Sequence, residues 1–232
     1  VTVLRDGRKV DTLPSTEVDD YRLAKLMTGS HVKHTVKTRK LPVREPGLEV
    51  RGAQRSGEFT DVSFILHAGE VLGIIGLMGS GRTELALALF GMTKVDHGEV
   101  LLDGKLVRLR SNQDAIGVGI AYVSEDRLVL GLNLRQSIAD NIAITVLDRL
   151  ANGCGIVPPR RRNGLATEWI ARLGIKASNI GAAVQTLSGG NQQRVVLAKW
   201  LATNPRVLIP DTPTAGADIR NRQGNYAMIR KH

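Results

Sequence analysis

The sequence predicts an α/β fold with a mostly parallel sheet covered on both faces, and two observations predict it. Strand-like and helix-like stretches alternate along the chain, and several strand-like stretches are unbroken in apolar character. A strand buried on both faces needs apolar side chains on both, so it loses the alternation of a half-exposed strand. Aromatic residues make up only 3% of the chain, so the core of such a sheet rests on Val, Ile, Leu and Ala.

The elements follow in order. Residues 2–13 read as a hairpin, with Val1, Val3 and Val10 apolar and Asp6-Gly7 a turn pair suited to positive φ. Thr16 with Asp19 three residues on marks a helix start leading through 21–27, and Gly29 closes it. Residues 31–46 are polar and basic, contain Pro42 and Pro46, and read as a linker. A new unit starts at Leu48-Glu49-Val50-Arg51. Residues 62–66 alternate like a strand, Ala68-Gly69 turns, and 71–75 is an unbroken apolar run expected to be a buried strand. A helix is expected over 84–90, ended by Gly91. Residues 98–105 form a strand running into the Asp103-Gly104 turn, and 119–123 is a second buried strand. Two or three helical stretches fill 134–187, among them 166–173, with Arg160-Arg161-Arg162 between them as solvated surface. A helix over 192–203 is stopped by Asn204-Pro205, and 207–209 is a short buried strand ending at Asp211.

Composition narrows the function classes. At 232 residues the chain holds one large domain, or one domain plus fragments. Its 42% hydrophobic and 23% charged content is that of an ordinary globular protein. The single cysteine, Cys154, cannot form an internal disulfide, which fits a reducing compartment. No apolar run approaches the ~20 residues needed to span a bilayer. The N-terminus has no secretory pattern and no initiator Met, so the expectation is a chain that begins inside a longer protein. The net charge of +10 reads as a solvated Arg/Lys surface. No basic stripe is interleaved with aromatics, so nucleic acid is not an expected partner.

Gly76-Leu77-Met78-Gly79-Ser80-Gly81-Arg82-Thr83 lies between the run at 71–75 and the helix at 84–90. That is the setting of a P-loop, in which glycines let the backbone N–H groups curl inward around phosphate at a helix N-terminus. Thr83 is placed to ligate Mg²⁺ through its hydroxyl. Arg82 stands where the pattern has Lys, and a planar fork is not equivalent to a compact ammonium. The competing reading is a Gly-rich strand–helix turn that binds nothing. Leu187-Ser188-Gly189-Gly190-Asn191-Gln192 opens the next helix and makes a second anion site of the same physical kind, or else a capped helix behind a flexible turn. The buried strand ending at Asp211 supplies the acid with which P-loop enzymes organise magnesium.

Taken together, these motifs resemble the ATP-binding-cassette family. The wording of 187–201 and 76–85 is similar to its branch of ATP-binding subunits of simple-sugar importers of the ribose, galactose and xylose type. That resemblance covers nearly the whole chain. It implies a P-loop NTPase core with antiparallel β and helical subdomains, binding ATP and Mg²⁺. It implies that 1–30 ends a first cassette, 31–46 is a linker, and 47–232 is a second cassette incomplete at its C-terminus. It assigns Leu187, Ser188, Gly189, Gly190, Asn191 and Gln192 as the signature loop facing the γ-phosphate of the opposite cassette. It assigns Thr83, Asp211 and Glu125 to Mg²⁺, with Glu125 where many cassettes have Gln, and Asp218 to the cassette-contact loop.

The resemblance also shows departures. Thr212 occupies the position of the catalytic glutamate, and a hydroxyl is no general base near neutral pH. Pro210 precedes the acid on a strand, where it removes a ladder donor. Phe59, the nearest aromatic upstream of the P-loop, is expected in the core rather than on adenine, and His232 falls too early to be the family's switch histidine. The expected function is therefore an ATP-binding subunit at the cytoplasmic face of the membrane. Its own site would be degenerate, and its signature loop would serve the first cassette of the same polypeptide. Its partners would be transmembrane permease subunits and, indirectly, a sugar-binding protein. A non-catalytic nucleotide-binding or scaffold fragment is the alternative. A soluble cassette of DNA repair or translation is a third, with no zinc-type cysteines or long heptads in its favour.

Overall fold

A computed structural model describes residues 1–5, 7–28 and 45–211. Strands β1 (Thr2–Arg5) and β2 (Arg8–Thr12) form the expected antiparallel hairpin, with Gly7 at φ 75° in its turn. Helix α1 (Asp20–Thr28) begins later than expected. Asp19 rather than Thr16 supplies the start, its carboxylate accepting from the Arg22 N–H at 2.5 Å. The expected closing Gly29 and most of the linker lie outside the described residues, but Pro46 already belongs to the next strand.

Local turn chemistry builds the largest sheet. Strands β3 (Pro46–Arg55), β4 (Phe59–His67), β5 (His97–Leu102) and β6 (Lys105–Val107) are antiparallel, in the order β4-β3-β5-β6. Asp103 and Gly104, at φ 47° and 72°, make the tight β5–β6 turn, since two consecutive positive-φ residues match the twist of a hairpin. Gly98 has φ 98°, and a Cβ there would lie 2.5 Å from the Gly52 carbonyl oxygen. Only glycine lets β5 run this close to the irregular middle of β3.

Helix α2 (Arg82–Leu89) precedes β5 in the chain, and α3 (Asn112–Gly117) follows β6. Ser111 caps α3 through its Oγ, which accepts from the Asp114 N–H. Strands β7 (Ile120–Val123) and β8 (Val207–Pro210) pair in parallel, Ile120 opposite Val207 and Val123 opposite Pro210. All four residues of β7 are buried. A π-helical turn, Arg127–Gly131, leads from β7 towards α4 (Ile138–Ala143), α5 (Leu147–Leu150) and α6 (Pro159–Leu173). Helix α7 (Gly189–Leu201) returns the chain to β8. One apolar core includes Val50 and Leu89, Val123 of β7, Ile142 and Trp169 of the helical region, and Leu197 of α7. Its predominance of aliphatic residues is the one the composition required.

Three expectations are corrected. The sheet is not mostly parallel among the described residues: the larger sheet is antiparallel, and the parallel part is the β7–β8 pair. Sequence periodicity reports burial, whereas strand direction is set by connections: short turns fold β4 back on β3 and β6 back on β5, and residues 68–96, α2 among them, return the chain so that β5 runs antiparallel to β3. The run at 71–75 is not a buried strand. No described segment pairs with it, and Val71, Ile74 and Ile75 are exposed. An apolar run becomes a strand only where a neighbour satisfies its N–H and C=O groups, so without a ladder its backbone stays towards solvent. The Arg160-Arg161-Arg162 run does not lie between helices but within the first turns of α6, which starts on Pro159 at a position where proline is tolerated. Arg161 donates to the Leu150 and Ala151 carbonyls at 3.3 and 3.1 Å, and Arg162 pairs with Asp140 at 2.7 Å. Two of these three cations therefore join helices rather than only facing water.

Candidate functional site

The P-loop sequence folds into a curled, exposed loop ahead of α2. Gly79 and Gly81 have φ of 77° and 85°, and Gly81 is the N-cap of α2, with no side chain capping the helix. Helix N-termini leave N–H groups without intrahelical acceptors and carry partial positive charge, which suits an anion. Gly81 is sterically required, whereas a side chain at Gly76 would displace the Ser80 hydroxyl. A Cβ on Gly81 would meet the Glu58 carbonyl oxygen at 2.4 Å and Phe59 Cβ at 3.2 Å, and one on Gly76 would meet Ser80 Oγ at 2.4 Å. The Ser80 N–H donates to the Leu77 carbonyl at 3.1 Å, holding the curl. Gly76, Leu77, Met78, Gly79 and Ser80 are exposed, as is Arg82, while Thr83 is half-buried in the first turn of α2. Phe59 is buried beneath Gly81, in the core as expected.

The parallel register of β7 and β8 brings two carboxylates to one strand end. Val123 lies opposite Pro210, so Asp211 follows directly on β8, and Glu125 follows β7 after one residue, Ser124. The Asp211 N–H donates to the Val123 carbonyl at 2.9 Å, continuing the ladder past Pro210. Pro210, flagged for its missing donor, is the last residue of the strand. Glu125 is exposed, and Asp211 is half-buried. The Tyr122 hydroxyl donates to Asp211 Oδ2 at 3.1 Å. Burial, then the Asp211 charge, then the hydrogen bond to it push the Tyr122 phenol well above its ordinary range, so it stays a donor. The P-loop helix is tied to this strand end indirectly: Phe90, the C-cap of α2, stacks on Tyr122 at 5.5 Å.

The second glycine motif opens α7, which starts at Gly189 rather than Gln192 because Ser188 already takes the N-cap position. Ser188 is exposed, and its hydroxyl bonds no N–H of the helix; it accepts from Asn191 Nδ2 at 3.0 Å. Asn191 Oδ1 in turn accepts from the Lys176 N–H at 2.9 Å. Gln192 is buried and donates to the Val184 carbonyl at 3.3 Å, and Leu187 is half-buried. The start of α7 is thus anchored through Asn191 and Gln192, while Ser188 and the Gly189-Gly190 backbone remain at its open end. Thr212, residues 215–217, Asp218 and His232 lie outside the described residues.

Two residues of this region were not singled out from the sequence. Tyr122 was read only as part of an apolar strand. Lys199 is 7% exposed in α7, and its Nζ donates to the Gly131 carbonyl at 2.6 Å. The signal for Lys199 was available: a lone cation inside the apolar run of 195–201. Among the described residues no group of three or more His, Cys, Asp or Glu is arranged to hold a metal. The hard oxygen donors of Thr83, Asp211 and Glu125 match Mg²⁺, which is ordinarily held by one or two carboxylates together with substrate phosphates. No helix among the described residues is long and apolar enough to cross a membrane.

Comparison with known proteins gives a consistent result. The ABC transporter family model matches residues 59–215. The ribose import ATP-binding protein of Geobacillus kaustophilus is 40% identical over 231 residues, covering 100% of this chain and 47% of that protein. A ribose import ATP-binding protein of Rubrobacter xylanophilus is 42% identical over 99% of this chain and 46% of its own length. A putative ribose/galactose/methyl galactoside import ATP-binding protein of Pseudomonas fluorescens is 40% identical over 99% and 44%. The chain therefore spans less than half the length of the curated relatives it matches. Among solved structures, a nucleotide-free ATP-binding cassette from an ABC transporter superposes with a TM-score of 0.67 at 20% identity, covering 80% of this chain and 76% of that one. A dimeric cassette in a post-hydrolysis state with ADP and phosphate gives 0.65 at 21% identity, covering 79% and 82%. At these identities the structural likeness shows the fold alone.

Lys199 yields a prediction from its burial. Desolvation pushes its ammonium down to about 8 from an ordinary 10.5. The folded value lies below the unfolded one, so between about pH 8 and 10.5 the unfolded chain binds the extra proton, and the stability tied to this residue rises with pH across that window. Relative to Lys199→Met, the parent should gain about 3 kcal/mol between pH 7 and 10.5, at ~1.36 kcal/mol per unit. Urea unfolding of both proteins at each pH checks this. A difference independent of pH would mean that Lys199 titrates as an exposed lysine.

Proposed function

We propose, starting from the fact that this chain belongs to the ABC transporter family, that it is the second cassette of an ATP-binding subunit driving import of a simple sugar. The sugar-import functions of its relatives support this reading. Their lengths leave room for another cassette of similar size in the same polypeptide. In this reading residues 1–30 end that first cassette, 31–46 link the two, and the unit from 47 onward is the second. The subunit sits peripherally on the cytoplasmic face of the membrane. It rests there on permease subunits, which receive the sugar from an external binding protein.

The observation that carries the reading is the open N-terminus of α7. Its thirteen residues align a dipole on Ser188, Gly189 and Gly190, and the Ser188 hydroxyl is not spent on capping the helix. A site built this way suits the γ-phosphate of ATP held by the opposite cassette. This chain's own nucleotide is assigned to residues 76–83, with backbone N–H groups and Arg82 on the phosphates. Thr83, Asp211 and Glu125 are the groups that would hold Mg²⁺, which when bound neutralises charge on the phosphate oxygens. Tyr122 keeps Asp211 oriented at the strand end. A positioned base contributes on the order of 10²–10⁴ in rate, and Thr212 offers none. This site therefore binds ATP and turns it over slowly, while the signature loop completes the active site of the first cassette.

Arg82 decides how the local site holds phosphate. If its guanidinium replaces the usual ammonium, Arg82→Ala weakens nucleotide affinity and Arg82→Lys preserves or improves it. Titration calorimetry giving equal affinities for all three proteins would show that the side chain does not touch phosphate.

Gly189→Asp tests the paired site. Removing one positioned donor at a developing charge costs about 2.7–4 kcal/mol, and here a carboxylate would also repel the phosphate. Sugar-stimulated ATP hydrolysis by the full polypeptide should fall ~10²–10³-fold, with affinity at residues 76–83 little changed. Normal hydrolysis in this variant would reduce the loop to the start of a helix and remove the paired-cassette mechanism.

A further inference from the structure

Lys199 sits where an ammonium is unfavourable. Val195, Val196, Leu197, Ala198, Trp200 and Leu201 around it on α7 are all buried. Burial alone accounts for its lowered basicity, with no carboxylate contributing. A buried cation without a counter-charge opposes folding rather than supporting it. A methionine of similar length would fill the same space, so packing does not explain a lysine here. What the lysine supplies beyond apolar bulk is the bond from its Nζ to the Gly131 carbonyl, at 2.6 Å, and an ammonium 4.9 Å from the centre of the Trp200 ring beside it.

Gly131 is the last residue of the Arg127–Gly131 turn that follows Glu125. Asp126 holds the beginning of that turn, its Oδ1 accepting from the Leu128 and Val129 N–H groups at 3.0 Å each. The side chains of Leu128, Val129 and Leu130 are exposed, so the turn gains little from packing. Lys199 closes its far end onto α7, the helix that opens with the signature loop. The next residue on α7 extends the connection. Trp200 meets Phe90 edge-on at 5.2 Å, Phe90 stacks on Tyr122 at 5.5 Å, and Tyr122 donates to Asp211. Residues 199 and 200 thus touch the turn after Glu125 on one side and, through two aromatic rings, the strand-end acid on the other.

We infer that Lys199 is a positioning residue, which fastens the turn following Glu125 to the signature helix so that the two loops move as one body. The tether is a statement about these residues alone; its effect on ATP turnover rests on the function proposed above. Displacement of the turn, by whatever binds its exposed apolar side chains, is then passed along α7 to Ser188, and the reverse holds equally.

The experiment compares the full polypeptide with its Lys199→Met and Lys199→Arg variants, by amide hydrogen exchange and by steady-state ATP hydrolysis. In Lys199→Met, exchange at 128–131 should accelerate about tenfold or more, as for the loss of a charge-assisted bond. Exchange in 120–123 and 193–201 should stay as in the parent. The kcat for ATP should fall while KM stays within about twofold, the pattern of a lost transition-state arrangement rather than lost binding. Lys199→Arg, which keeps a charged donor, should hold exchange at 128–131 slow. Unchanged exchange at 128–131 in Lys199→Met overturns the proposal. So does acceleration spread equally over α7 and β7, which would mark a packing role only. A parent polypeptide with no ATP turnover would refute the proposed function instead, and the exchange comparison would still decide the tether.

Discussion

The parallel pairing of β7 with β8 is the constraint on which the site depends. Its register places Val123 opposite Pro210, and from that one alignment Glu125 and Asp211 leave the sheet at the same end. A slip of one residue would turn every side chain of β8 to the other face, separating Asp211 from the Tyr122 hydroxyl. Burial of all four residues of β7 makes such a slip costly. Position, burial and hydrogen bonding of the acid therefore come from the same ladder.

Helix α7 transmits that alignment. Its apolar face fills the core beside β7, Ser188 stands at its N-cap, and its last turns hold Lys199 and Trp200. Thr145 Oγ1 donates to the Lys199 carbonyl at 2.8 Å, and an Arg149 guanidinium nitrogen donates to the Ala202 carbonyl at 2.6 Å. Those bonds satisfy carbonyls that a helix end leaves open and join α7 to the residues around α5. The Ser188-Gly189-Gly190 segment is thus one end of a helix whose other end is fixed to the helical region, to the turn after Glu125 and, through Trp200, to Phe90. Such an element can move as a unit, which a loop anchored only locally cannot.

Much of this was legible in the sequence, for reasons that differ by residue. Gly79 and Gly81 were readable because their positive φ admits few other residues. The hairpin at Gly7 and the turn at Asp103-Gly104 were readable for the same reason. Asp211 could be read as the acid ending a buried strand. The run at 71–75 misled because apolarity reports an affinity for burial, and pairing requires a neighbour that no local pattern encodes. The Arg160-Arg161-Arg162 run misled because Asp140, the partner of Arg162, lies 22 positions away. Tyr122 and Lys199 were passed over because each looks like a core residue until its polar tip is traced to Asp211 or Gly131. Tertiary partners of this kind, 89 and 68 positions distant, leave no spacing to detect.

In the function proposed above, the strand-end acid organises a metal for a nucleotide held at residues 76–83. Titration calorimetry of an ATP analogue against the parent and Asp211→Asn, with Mg²⁺ and again with chelator, tests it most directly. The substitution preserves shape and removes charge. Asp211→Asn should bind more weakly in the presence of Mg²⁺, and the two proteins should have equal affinities in chelator. An equal loss under both conditions would contradict this role, because Asp211 would then support the fold of the site rather than its metal.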